Sequence, residues 1–160
     1  MNIFHLHRNP EICARYHCDK HVVKMILETG QMLSTAYQRH CGIHDDLYKP
    51  AYQKHPMTIW VGNSLANYMW SLDLLGFLLN EYRHRYDNKI HSTGRILSKL
   101  ISLHSNVKDK FEYQSFLIPP LCMPDKYKTE SYIMSYRNYY VGEKKIFARY
   151  TKVDTPDFMC

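Results

Sequence analysis

Residues 19–42 read DKHVVKMILETGQMLSTAYQRHCG, and the way this stretch repeats decides the fold class. Val22, Val23, Ile26, Leu27, Leu33 and Tyr37 return at three- and four-residue spacing, which is the period of one helix face. Lys20, Lys24, Glu28 and Gln31 fall on the opposite side. Asp19 is placed to cap the first turn, and Gly42 to end the last, because glycine enters the left-handed backbone region without steric cost. A helix this long with one oily face must bury that face on other elements, so the stretch predicts a mainly α domain.

Upstream, Asn9-Pro10-Glu11 is a helix start: Asn caps, Pro fits the first helical position and Glu complements the dipole. Downstream, residues 42–57 are polar and broken by Pro50 and Pro56, which reads as a loop. Asn63-Ser64 then caps a long helix whose stripe is Leu65, Met69, Leu72, Leu75, Leu79 and Tyr82. A further helix begins at Ser92 or Thr93 and buries Ile96, Leu97, Leu100 and Ile101, with Arg95 and Lys99 one turn apart on its wetter side. Residues 105–128 hold Pro119, Pro120 and Pro124 without a sustained period, so they read as an irregular crossing anchored by Phe111, Tyr113 and Phe116. A last helix is expected from Thr129-Glu130 to about Tyr150. The expectation is a single helical domain over residues 1–160, of about five helices with long irregular connections.

Of the 160 residues, 45% are hydrophobic and 14% aromatic, too many for a disordered chain and enough for one packed core. The longest oily run, Leu74 to Leu79, falls far short of the roughly 20 residues that span a bilayer, so no membrane partner is expected. The segment starting at Met1 lacks the basic and apolar parts of a secretory signal, which predicts a cytoplasmic location. Cys13, Cys18, Cys41, Cys122 and Cys160 are odd in number and form no C-x-x-C pair, so they are expected to stay thiols. A net charge of +6 favours polyanionic partners, and residues 81–110 concentrate seven Lys or Arg against three acids.

Three clusters could carry chemistry. In the first, Asp19, Lys20, His21, Lys24 and Glu28 lie along the start of the long helix, and Lys20, Lys24 and Glu28 repeat every fourth residue. A lysine among other cations can attack a carbonyl or a sugar C1′ while Glu28 or His21 moves the proton. The plainer alternative is a capping Asp19 and a solvated Lys24–Glu28 pair. The second is His55, fixed before Pro56, followed by Trp60 and Asn63: a phosphate or base contact, or a loop histidine and a core tryptophan. The third joins Tyr127 to Arg137 and Lys145, where aromatic and basic side chains interleave as they do on single strands; Arg95 and Lys99 extend the same basic surface. A metal held by His5, His7, His17, Cys18 and His21 matches no standard zinc spacing, and the reading calls for no cofactor.

The order of these features resembles the small helical pyrimidine-dimer DNA glycosylases of bacteriophages, the endonuclease V type: an N-terminal apolar segment, a charged cluster some twenty residues in, His-Pro before a long apolar helix, and a final Tyr/Arg/Lys helix. The stretch Cys18 to Met25, CDKHVVKM, is also similar to phage proteins of no established activity. The first resemblance implies base removal and cleavage of the abasic strand, using an N-terminal amine freed by loss of Met and a catalytic Glu. Here Asn2 is too large for efficient Met removal, which leaves the Met1 amine or Lys20 to supply the nitrogen, and the acid is Asp19 or Glu28. Dimer specificity does not carry over. The expected function is an enzyme acting on a DNA base or sugar, with DNA or a nucleotide as partner. The alternatives are an enzyme of free nucleotides and a noncatalytic nucleic-acid-binding protein.

Overall fold

Seven α-helices and two 3₁₀ turns account for the regular structure, and the only β feature is an isolated bridge between Ser64 and Tyr113. The computed structural model describes residues 1–160. α1 spans Pro10–Tyr16, and the Asn9 carboxamide oxygen accepts the N–H groups of Glu11 and Ile12, as the start signal predicts. α2 runs Asp19–Cys41 and ends at Gly42, whose φ of +85° is the left-handed conformation that favours glycine. Cys18 occupies its cap position without a side-chain bond, so Asp19 is the first helical residue and not the cap.

The long helix expected after Ser64 is preceded by another that the loop reading missed. α3 spans Pro56–Asn63 and α4 spans Leu65–Arg85, broken apart at Ser64, which is extended at φ −136° and ψ 142°. The break leaves backbone groups without helical partners, and the crossing segment supplies them. Tyr113 N–H donates to the Asn63 carbonyl, while Leu65 and Ala66 N–H donate to the carbonyls of Tyr113 and Gln114. α5 (Gly94–Ser102) and α6 (His104–Val107) follow, then α7, which is Tyr132–Lys144 with Ser131 as its cap. α7 therefore starts later and stops earlier than the Thr129-to-Tyr150 expectation.

α2 lies against α3, α4 and α5, and α1 packs on α4. Thirty buried residues form one core. Its least expected members are Ile3, Phe4 and Leu6, which with the buried His5 form an extended N-terminal segment threaded between α2, α4 and α7, with Phe4 stacked flat on His21 and set edge-on to Tyr140. No helix is long and apolar enough to cross a membrane. All five cysteines are free.

Candidate functional site

Threading residues 3–6 through the core brings the start of the chain onto α2. The Asn2 N–H donates to Glu28 Oε2 at 2.9 Å, and the Met1 amine lies 3.8 Å from the same oxygen. Lys24, one turn earlier on α2, places its ammonium 3.5 Å from Glu28 Oε1. Two features separate this group from an ordinary surface pair: the Glu28 side chain is 13% exposed and that of Met1 is 2% exposed. Asn2 holds the arrangement in register, its amide donating to the Cys122 carbonyl at 3.0 Å while its oxygen accepts Ile3 N–H at 2.9 Å.

His55 faces the same amine from the start of α3. Its Nδ1 accepts the Met57 N–H at 3.1 Å, which leaves the ring proton on Nε2. Burial, and then the positive Met1 amine, push its pKa below the ordinary histidine value, against the opposing pull of Glu28. The ring is thus neutral at neutral pH. Cys122 closes the group: burial raises its thiol pKa, with a hydrogen bond to Tyr136 and the charges of Lys128 and Met1 pulling it down. An amine, a shielded carboxylate, a neutral imidazole and the Lys24 ammonium therefore converge, enough to bind an anion and move protons beside it, while Lys128 pairs with Asp125 at 2.7 Å.

The five-residue cluster on α2 is divided by the structure. Lys24 and Glu28 join the Met1 group, whereas Lys20, about 12 Å along the axis from Glu28, lies 5.2 Å from the centre of the Phe147 ring. His21 is 6% exposed and its Nδ1 meets the Tyr140 hydroxyl at 2.8 Å, so it is wedged in the core. Asp19 serves the architecture: its carboxylate accepts the Thr151 N–H and hydroxyl and pairs with Arg85.

Arg85 is the hub of that pairing. Its five N–H groups reach Glu81 twice, Asp19, and the carbonyls of His17 and Arg15, with the side chain wholly buried. Arg85→Ala strips the cation from Glu81 and Asp19, the latter keeping only its Thr151 bonds, and removes the donors to two carbonyls; it is expected to cost ~3–5 kcal/mol, read as a lower urea midpoint. Arg85→Lys, with three donors, is expected to recover only part of it. A midpoint unchanged in Arg85→Ala would show the network contributes nothing.

The remaining sequence candidates are mostly engaged inside the fold. Trp60 is 4% exposed, donates its indole N–H to the Leu117 carbonyl, and has no face open to a base, which corrects its reading as a stacking residue. Asn63 is held at the helix break. Arg95 lies over Tyr48 and Lys99 pairs with Asp46 at 2.8 Å, so both pin the 42–57 loop. Arg137 stacks on Tyr16 and Phe158 and donates to the Leu6 carbonyl, an anchor for the N-terminal segment and not a free phosphate contact. Tyr127 donates to Glu143 and lies on Gly142, where any side chain would collide with its ring. Lys145 reaches the Cys160 carbonyl from an exposed position.

His5, His17 and His21 share the core, yet no three His, Cys, Asp or Glu side chains are placed to hold a metal ion. A concavity of about 520 Å³ between α4, α5 and the start of α6 contains none of the sequence candidates and is mainly apolar, with Asp73 and His104 its only titratable groups. Sequence reading offered the Met1 amine and Glu28 among its alternatives without joining them, and did not place Cys122 beside them. The cue available was Phe4 with Ile3 and Leu6, an apolar run that had to be buried. Set against protein-family models, curated proteins and solved structures, the chain matches none of them.

Proposed function

We propose that the chain processes a base or sugar in DNA, with the Met1 amine as nucleophile at a sugar C1′ and Glu28 as the group that moves protons. The observation that carries this reading is the convergence of the amine and Asn2 N–H on one shielded carboxylate. In this reaction the lone pair of the nitrogen forms the bond to C1′ as the glycosidic bond breaks, its electrons leaving with the base, which takes a proton from water. Glu28 takes a proton from the bonded nitrogen and returns it to O4′ as the sugar ring opens to an imine; it then takes the C2′ proton as the C3′–O bond breaks and the 3′ phosphate leaves, and water hydrolyses the imine to free the amine. Lys24, 64% exposed, supplies charge for a flanking phosphate.

The test is borohydride reduction in the presence of duplex DNA carrying an abasic or modified nucleotide. The expected result is a covalent protein–DNA adduct that peptide mapping places on Met1. An adduct on Lys20 or Lys24 would overturn the assignment to Met1. Salt-dependent binding with no adduct on any substrate would sink the imine mechanism and favour a noncatalytic DNA-binding role.

A further inference from the structure

A second recess lies at the other end of the buried N-terminal segment. Arg8, Trp70, Phe116, Ile118 and Tyr132 line a cavity of about 320 Å³ at the surface. Trp70 is fixed by donating its indole N–H to the Arg8 carbonyl at 2.7 Å, and it meets Phe116 edge-on at 6.4 Å between ring centres. Phe116 is 39% exposed and Ile118 78%, so apolar surface stands open to water here. The only charge is that of Arg8, whose guanidinium has neither a carboxylate within 4.0 Å nor a hydrogen-bond partner. Behind the recess His5 stacks on Trp70 at 4.6 Å and meets Tyr132 edge-on at 5.9 Å. It is fully buried, with both ring nitrogens unpartnered.

We propose that this recess holds one nucleotide of a single-stranded or locally opened DNA strand, its base against Trp70 and Phe116 and its phosphate on Arg8. The inference rests on the nucleic-acid reading and adds a place for a nucleotide flanking the reacting one. Aromatic faces with an unpaired guanidinium at the rim match the two halves of a nucleotide, the flat base and the anion. A volume at the lower end of the range for ligand pockets suits one such unit and not an extended partner. Seven peptide units separate Met1 from Arg8, so the two sites are at most about 25 Å apart, a few nucleotides of strand.

The experiment is anisotropy titration of labelled oligothymidylate across a range of salt. Phe116→Ala and Ile118→Glu are each expected to weaken binding about tenfold, the first by losing stacking and the second by placing a carboxylate beside the phosphate. Arg8→Ala is expected to reduce the slope of log affinity against log salt by about one. Because Ile118 is so exposed, Ile118→Glu tests the site even if Phe116→Ala unfolds the chain. If wild type binds and all three variants bind within twofold of it with unchanged slope, the nucleotide site is overturned alone. If wild type binds no oligothymidylate at low salt, the nucleotide site is overturned, and borohydride trapping on the abasic duplex decides the proposed function separately.

Discussion

Glu28→Gln is expected to lower turnover of an abasic or base-modified duplex by about 10²–10⁴-fold while leaving the fold intact, the range over which a positioned acid–base group acts. Glutamine keeps the volume and an oxygen able to accept the Asn2 N–H, so the N-terminal segment stays seated. What it removes is the proton acceptor beside the Met1 nitrogen, and with it the negative charge shared by that nitrogen and Lys24. Lys24 offers the contrasting variant. Its side chain is 64% exposed, so Lys24→Met is expected to weaken binding and flatten its salt dependence, with turnover of the saturated complex little changed. Stopped-flow or gel-based single-turnover assays separate the two effects. Turnover by Glu28→Gln within threefold of wild type would remove Glu28 from the chemistry.

Acid is expected to unfold the chain well above the pH at which its carboxylates protonate. Burial holds His5 down to about 3; His17 is held at about 4 by burial first, with the hydrogen bond to the Cys13 carbonyl pulling upward and the charge of Arg85 adding to the lowering. His21 is likewise lowered to about 3, by burial first and then by the charges of His17, Lys144 and Lys24. In the unfolded chain each returns to about 6.5. Between these values only the unfolded state takes up the protons, so stability is full above pH 6.5 and falls as pH drops toward 3–4. Each histidine contributes ~1.4 kcal/mol per pH unit, so three together amount to ~6 kcal/mol by pH 5, comparable with the whole stability of a small domain. Urea midpoints at pH 7.5, 6 and 5 measure the slope. His5→Phe, which also removes two unpartnered nitrogens, is expected to cut that slope by about a third. A midpoint flat between pH 7.5 and 5 would show that the histidines protonate freely in the folded state.

Legibility differed from element to element for identifiable reasons. The start of α1 was read to the residue because its cap and its Pro act within one turn. The Ser64 break was not, because the groups that satisfy it come from residues 113–115, some fifty positions on. α7 stops at Lys144, and the residues beyond it are drawn to the other end of the chain: the Arg149 carbonyl takes the Asp19 N–H, and the Tyr150 hydroxyl donates to the Tyr16 carbonyl. Lys24, Glu28 and His55 were found as chemically capable side chains, and they do meet. Asp19, His21, Trp60 and Arg137 looked equally capable and are engaged in packing. Residue type alone does not separate a charge aimed at a ligand from one aimed at a buried carbonyl.

The sequence by itself determined that the chain is helical, where α1 begins and where α2 ends, and that the chain carries excess positive charge. Those properties depend on apolar period, on Pro, Gly and cap residues, and on composition, all of which act over a few residues or none. Only the tertiary structure decided which of the charged residues on α2 belongs to the candidate site. That choice was made by the burial of Ile3 to Leu6, which carries the Met1 amine across to Glu28, 27 residues away along the chain. A carboxylate acquires its partner through the path the backbone takes to hide its apolar side chains, and that path is set by packing among segments distant in sequence.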